Sequence, residues 1–157
     1  QKWTEVKKKY SNIELHLIGR LQTNKVKIAV KLFDYIHSLD SKKLADKISI
    51  QQKEQNLNKK FFIQVNIGNE DQKSGIPIAD VFEFYNYCKN INLNVIGLMC
   101  IPPYNEDSEK YFKKMSEINN ELNLKEISMG MSADYLNAIE YGSTFVRIGS
   151  SIFGERS

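Results

Sequence analysis

The chain has 157 residues, of which 41% are hydrophobic and 26% charged, and its net charge is +3. These values fit one soluble globular domain over 1–157 with a real hydrophobic core, and they exclude a disordered chain. No apolar run approaches the ~18 residues of a membrane span, and so weak a positive excess lacks the clustered basic stripe of a nucleic-acid binder.

The chain opens at Gln1 in helix-like sequence with no initiator Met, so a fragment is expected. The Lys7-Lys8-Lys9 run reads as a solvated helix end. A strand is predicted over 13–19, then a helix over 24–33 with Val26, Ala29, Val30 and Phe33 on one face. A short strand follows over 34–39. Ser41 reads as the N-cap of a helix that carries Leu44, Ala45 and Ile48. Residues 60–67 are a β-rich run bounded by Gly68, and 78–90 a helix through Val81, Phe82, Tyr85 and Cys88. A strand over 94–100 stops at Pro102 and Pro103, and 108–122 shows the clearest helical spacing. The last units are a strand at 125–129, a helix at 132–141, a strand at 144–148 and a short tail.

Strand and helix thus alternate throughout, which predicts a parallel sheet with helices outside. Two architectures compete: an open doubly wound sheet and a (β/α)8 barrel. A complete barrel takes about 250 residues, so six strands would be three-quarters of one. In both, chemistry sits where strands run into helices at their carboxyl ends. Two such junctions carry Gly-Ser pairs, Gly130 with Ser132 and Gly149 with Ser150. Glycine admits backbone N–H groups to an anion and serine adds a hydroxyl, so these are candidate phosphate contacts; plain caps and turns are the alternative. No Walker or GxGxxG pattern occurs, which disfavours a nucleotide.

Arg147, one of three arginines, lies inside the last predicted strand on the same side as Phe145. It points to a ligand or to a structural partner. His16 alternates with Leu15 and Leu17, and Gln64 and Asn66 alternate with Ile63, Val65 and Ile67; on a doubly buried strand they need polar partners. His37 shows no functional context. Cys88 and Cys100 match no metal or redox spacing; reduced thiols, no metal site and a cytoplasmic location are expected.

Several segments resemble the pyridoxal phosphate homeostasis protein family. They are Ile18-Gly19-Arg20-Leu21-Gln22-Thr23-Asn24-Lys25, Val65-Asn66-Ile67 with Glu70, Lys73 and Gly75, and Gly97-Leu98-Met99. The longest are Ser128-Met129-Gly130-Met131-Ser132-Ala133-Asp134, 142–149 (GSTFVRIG) and Ile152-Phe153-Gly154. The resemblance implies a (β/α)8 TIM barrel of the alanine-racemase N-terminal type, here about six of eight βα units with the first two absent. It implies a carrier of pyridoxal 5′-phosphate, without turnover, that serves cofactor homeostasis. Ser132, Gly149 and Ser150 would hold the phosphate, Arg147 would face the pyridine nitrogen, and His16 would line the site, with Gly130 and Asn66 beside them. The Schiff-base Lys of the family has no counterpart here and is expected in a preceding segment. Ser150 stands where many relatives have Thr or Ala, and Leu15 where Trp is common. Expected partners are the cofactor and pyridoxal phosphate-dependent apoenzymes, with no nucleic acid and no membrane, and a monomer at full length. The competing reading is a barrel enzyme acting on amino acids with the same cofactor, a racemase or decarboxylase relative.

Overall fold

The structure, a computed structural model, describes residues 2–70 and 72–154. Gln1, Asp71 and the tail with Arg156 lie outside the described residues. In chain order the elements are α1 (Lys2–Lys9), β1 (His16–Leu17), α2 (Val26–Leu32), β2 (Tyr35–Leu39), α3 (Lys42–Glu54), β3 (Lys60–Asn66), β4 (Ile76–Pro77) and α4 (Val81–Asn90). Then come β5 (Asn94–Met99), α5 (Glu109–Glu121), β6 (Glu126–Met131), α6 (Tyr135–Glu140), β7 (Phe145–Arg147) and α7 (Ser150–Phe153). The sheet order is β1-β2-β3-β5-β6-β7, every pairing parallel, with the two-residue β4 added beside β3. The strands form a curled parallel sheet with helices outside it, a partial barrel.

The six main strands match the predicted runs, with two differences. The first shrinks from 13–19 to His16–Leu17, because among the described residues it pairs with β2 alone. The fifth run extends to Met131, so Gly130 lies in β6 and not in a loop. The tail also holds one helical turn, α7.

Strands buried on both faces divide their side chains between two cores. Phe61, Ile63 and Val65 point outward against Val30, Leu44, Ile48, Phe84, Met115 and Ile118 of the helices. Tyr35, Phe62 and Met99 point inward, with Ile96 and Phe145 against them. A shift of register in β5 leaves the Leu98 N–H to the buried Asn119 side chain of α5, which accepts it at 3.2 Å. At the same bulge a Cβ on Gly97 would fall 1.9 Å from the Glu126 carbonyl oxygen, so β5 and β6 approach this closely only over glycine.

The lysine run at the end of α1 is not simply solvated. Lys7 Nζ pairs with Asp34 at 2.5 Å and donates to the Leu32 carbonyl at 3.1 Å. Lys59 and the Leu15 N–H reach the same carboxylate, so Asp34 ties α1, β1 and β2 together at the amino-terminal end. Burial alone would raise the Asp34 carboxyl, but the Lys7 hydrogen bond, the Leu15 amide and the two ammonium charges hold it below its ordinary value.

Candidate functional site

The inner face of the sheet carries the polar groups that its alternation puts there. Arg147 and Phe145 on β7 point inward together while Val146 faces out, as period two requires. Arg147 Nη1 donates to Ser128 Oγ at 2.8 Å and to the Ser128 carbonyl at 3.1 Å, and Nη2 donates to the Cys100 carbonyl at 2.8 Å. A guanidinium has five N–H groups. Nε–H and one Nη2–H are therefore without a protein acceptor among the described residues. Burial lowers the Arg147 basicity, and its three acceptor oxygens are all neutral.

Beside Arg147 the chain turns into α7, and the two loops meet. Ser132 Oγ accepts from the Gly149 N–H at 3.2 Å and from the Ser151 N–H at 3.4 Å. Two backbone donors thus converge on one oxygen. Gly149 is exposed, and a Cβ there would meet nothing within 4 Å, so this loop borders open space while its two amides are taken by Ser132. Ser150 is the exposed first residue of α7.

The other expected residues are placed as follows. Gly130 has φ +91, and a Cβ on it would lie 2.7 Å from Ala138 Cβ and 3.0 Å from Tyr135 Cα. Its lack of a side chain seats α6 on β6; that face is filled by protein. Asn66 is held by its own loop: its amide donates to the Glu70 carbonyl at 2.9 Å and its Oδ1 accepts the Glu70 N–H at 3.1 Å. His16 faces inward, its ring stacked on Tyr35 at 4.2 Å between centroids.

His37, for which the sequence shows no functional context, is buried in this inner layer. Its Nε2 lies 3.0 Å from His16 Nδ1 and its Nδ1 lies 2.9 Å from Ser128 Oγ. Its ring stacks on Phe62 with centroids 4.2 Å apart. Burial, then the nearby His16 and Arg147 charges, push its pKa down to about 3, so the ring is neutral. Ser128, which the sequence offers only as the first residue of the 128–134 motif, joins it there. The signal for both was available: Tyr35 and His37 alternate with Ile36 and Ser38, and Ser128 alternates with Ile127 and Met129.

A family profile described as the alanine racemase N-terminal domain matches residues 4–157. The pyridoxal phosphate homeostasis protein of Aquifex aeolicus is 44% identical over 155 residues, covering 92% of this chain and 68% of that protein. The chain belongs to this family, in its pyridoxal phosphate homeostasis branch. The human protein of the same name is 38% identical, over 92% of this chain and 59% of its own length. The chain spans about two thirds of the length of such relatives. PipY of Synechococcus elongatus PCC7942, solved with PLP bound, is 30% identical and superposes with a TM-score of 0.88 over 96% of this chain and 75% of that one. An alanine racemase of Clostridium difficile 630 superposes at 0.77 with 15% identity over 99% of this chain and 43% of that one, a likeness of fold alone.

The residues of this homeostasis-family chain fit pyridoxal 5′-phosphate. An exposed Gly-Ser turn whose two amides gather on a serine hydroxyl can turn those donors to a phosphate, a guanidinium with N–H groups to spare suits an aromatic ring nitrogen, and an aromatic inner layer of His16, Tyr35 and Phe145 flanks them. The lysines nearest these groups are already engaged. Lys73 pairs with Glu70 at 2.5 Å and reaches the Pro102 carbonyl, and Lys60 donates to the Tyr35 hydroxyl at 2.8 Å.

Proposed function

We propose that this chain binds pyridoxal 5′-phosphate at the carboxyl ends of β6 and β7 and acts as a carrier for cofactor homeostasis, without turnover of its own. The observation that supports this best is the convergence of the Gly149 and Ser151 amides on Ser132 beside an arginine held by three neutral oxygens. Ser132 and the 149–151 backbone take the phosphate, with Ser150 at its edge. Arg147 donates to the pyridine nitrogen and so keeps it unprotonated; His16 lines the ring. The cofactor supplies an aldehyde and a conjugated ring, and an unprotonated ring is a poor electron sink. That choice of partner suits holding the molecule rather than carbanion chemistry. The family names and the PLP-bound PipY support the same reading.

Residues 1–157 act as one domain of a cytoplasmic protein, monomeric when intact, that delivers the cofactor to pyridoxal phosphate-dependent apoenzymes. No helix among the described residues is long and apolar enough to cross a membrane.

The test is a titration of the chain with pyridoxal 5′-phosphate, followed by borohydride reduction and peptide mapping. Saturable binding is expected, weakened at least about tenfold in S132A and R147A, the scale of one lost charge-assisted hydrogen bond, with no lysine of this chain reduced onto the cofactor. Unsaturable binding, or affinity indifferent to both substitutions, would sink the proposal. Exchange of the α-hydrogen of alanine by the loaded chain would move it to the enzyme reading.

A further inference from the structure

Four polar side chains from four strands form one hydrogen-bonded line across the inner face. It runs from Arg147 on β7 through Ser128 on β6 and His37 on β2 to His16 on β1. The direction is set from one end, because a guanidinium only donates. Ser128 Oγ accepts from Arg147 and has its own hydrogen to place, and the acceptor it meets is His37 Nδ1. His37 is then the Nε2–H tautomer and donates to His16 Nδ1, which leaves the His16 hydrogen on Nε2. The opposite order would leave the Ser128 hydrogen without a partner at 0% exposure, a costly state.

We propose that Ser128 and His37 are positioning residues for Arg147. Ser128 Oγ and its carbonyl fix the rotation of the guanidinium. His37, by taking the serine hydrogen, turns the hydroxyl so that a lone pair faces Arg147. The Nε–H and the remaining Nη2–H of Arg147 are thereby held in one orientation before a ligand arrives, which spares binding the cost of ordering them. The groups facing His37 are consistent with a neutral link: His16 from β1, Phe62 from β3, Ser128 from β6, and Phe145 and Arg147 from β7. None of them is an acid that would hold it charged. The role of this line in binding rests on the proposed contact of Arg147 with a pyridine nitrogen; the line itself does not.

The experiment has two arms on the 157-residue chain. Long-range nitrogen–proton NMR reads the His37 tautomer, and the Arg147 Nη protons report hindered rotation. Binding of pyridoxamine 5′-phosphate, which has the ring and phosphate without the aldehyde, is measured beside binding of inorganic phosphate. The wild type should show the Nε2–H tautomer and resolved Nη protons. S128A should average the Nη protons and weaken pyridoxamine 5′-phosphate by about tenfold, the scale of one lost hydrogen bond to a charged group, with phosphate affinity changed less than about twofold. H37F, which removes the acceptor but not the hydroxyl, should give the same pattern more weakly. An Nδ1–H tautomer in the wild type overturns the proposal even if neither variant folds. So does an S128A chain with resolved Nη protons and unchanged pyridoxamine 5′-phosphate affinity. If the wild type binds no pyridoxamine 5′-phosphate, the functional reading fails, and the two NMR signals still decide whether Ser128 and His37 hold Arg147.

Discussion

Arg147 is a partly buried cation with only neutral acceptors, and such a charge is kept where something compensates its desolvation. The same neutrality in His37 has a consequence for pH. Its ordinary value is 6.5, and in the fold it drops to about 3. Above pH 6.5 neither the folded nor the unfolded chain holds the proton, and the group contributes nothing. As pH falls toward 3, the unfolded chain takes a proton that the folded chain refuses, so stability falls by up to ~1.4 kcal/mol per pH unit. Burial lowers His16 in the same sense. Urea unfolding at pH 7, 6 and 5 should show this loss, and H37Q should flatten it. An equal slope in both proteins would refute the assignment to His37. Asp34 adds a separate loss at more acid pH. Its depressed carboxyl stabilises the fold above its ordinary value of 3.8, and that contribution disappears as pH falls through the folded value.

At the scale of elements, three helices end in the same way. Asn56, Asn92 and Asn123 follow α3, α4 and α5 with φ of 50, 60 and 54. In each case the next residue, a leucine, donates its N–H five residues back: Leu57 to Gln52, Leu93 to Cys88, Leu124 to Asn119. This closes the helix with a left-handed residue, and asparagine tolerates that conformation better than other side chains do. The repeated Asn-Leu pair is visible in the chain, yet apolar periodicity alone does not explain it. N92A should cost about 1 kcal/mol, because alanine keeps the β-carbon but loses the short polar side chain that lets asparagine sit in this region, while N92G, which removes the β-carbon, should be neutral or slightly stabilising; chemical denaturation separates the two. Element positions were otherwise legible because they rest on local period. The strand at 60–67 and the helix at 108–122 emerge within a residue or so. The strand at 13–19 did not, because its length depends on how many neighbours it pairs with, which no local pattern states.

At the scale of the molecule, the sheet curls until its two ends share a core. Phe145 of the last strand packs against His16 of the first at 5.7 Å between rings, and against Phe62 in the middle at 5.3 Å. Among the described residues β1 and β7 still end the pairing. Around β7 the side chains of Leu136, Ile139, Val146, Ile152 and Phe153 are exposed, Phe153 at 86%. An unpaired strand edge beside an apolar flank favours self-association. Light scattering should show the chain forming concentration-dependent oligomers, and I152K with F153K should shift it toward monomer. A wild-type chain monomeric at all accessible concentrations would contradict this.

The sequence by itself determined the alternation of strand and helix, the parallel class of the sheet, the family motifs, and that Arg147 and Phe145 share one side of their strand. All of these follow from neighbours a few residues apart, through period two in strands and 3.6 in helices. Only the tertiary structure decided which of the candidates meet. His37 and Ser128 are 91 residues apart and touch because the curl of the sheet brings β2 and β6 inner faces together. Asn66 and Gly130, equally plausible as ligands in one dimension, are taken up by a loop and by a helix that happen to lie against them. A hydrogen bond depends on distance in space to within a few tenths of an ångström, and spacing along a chain carries no such information across separate strands.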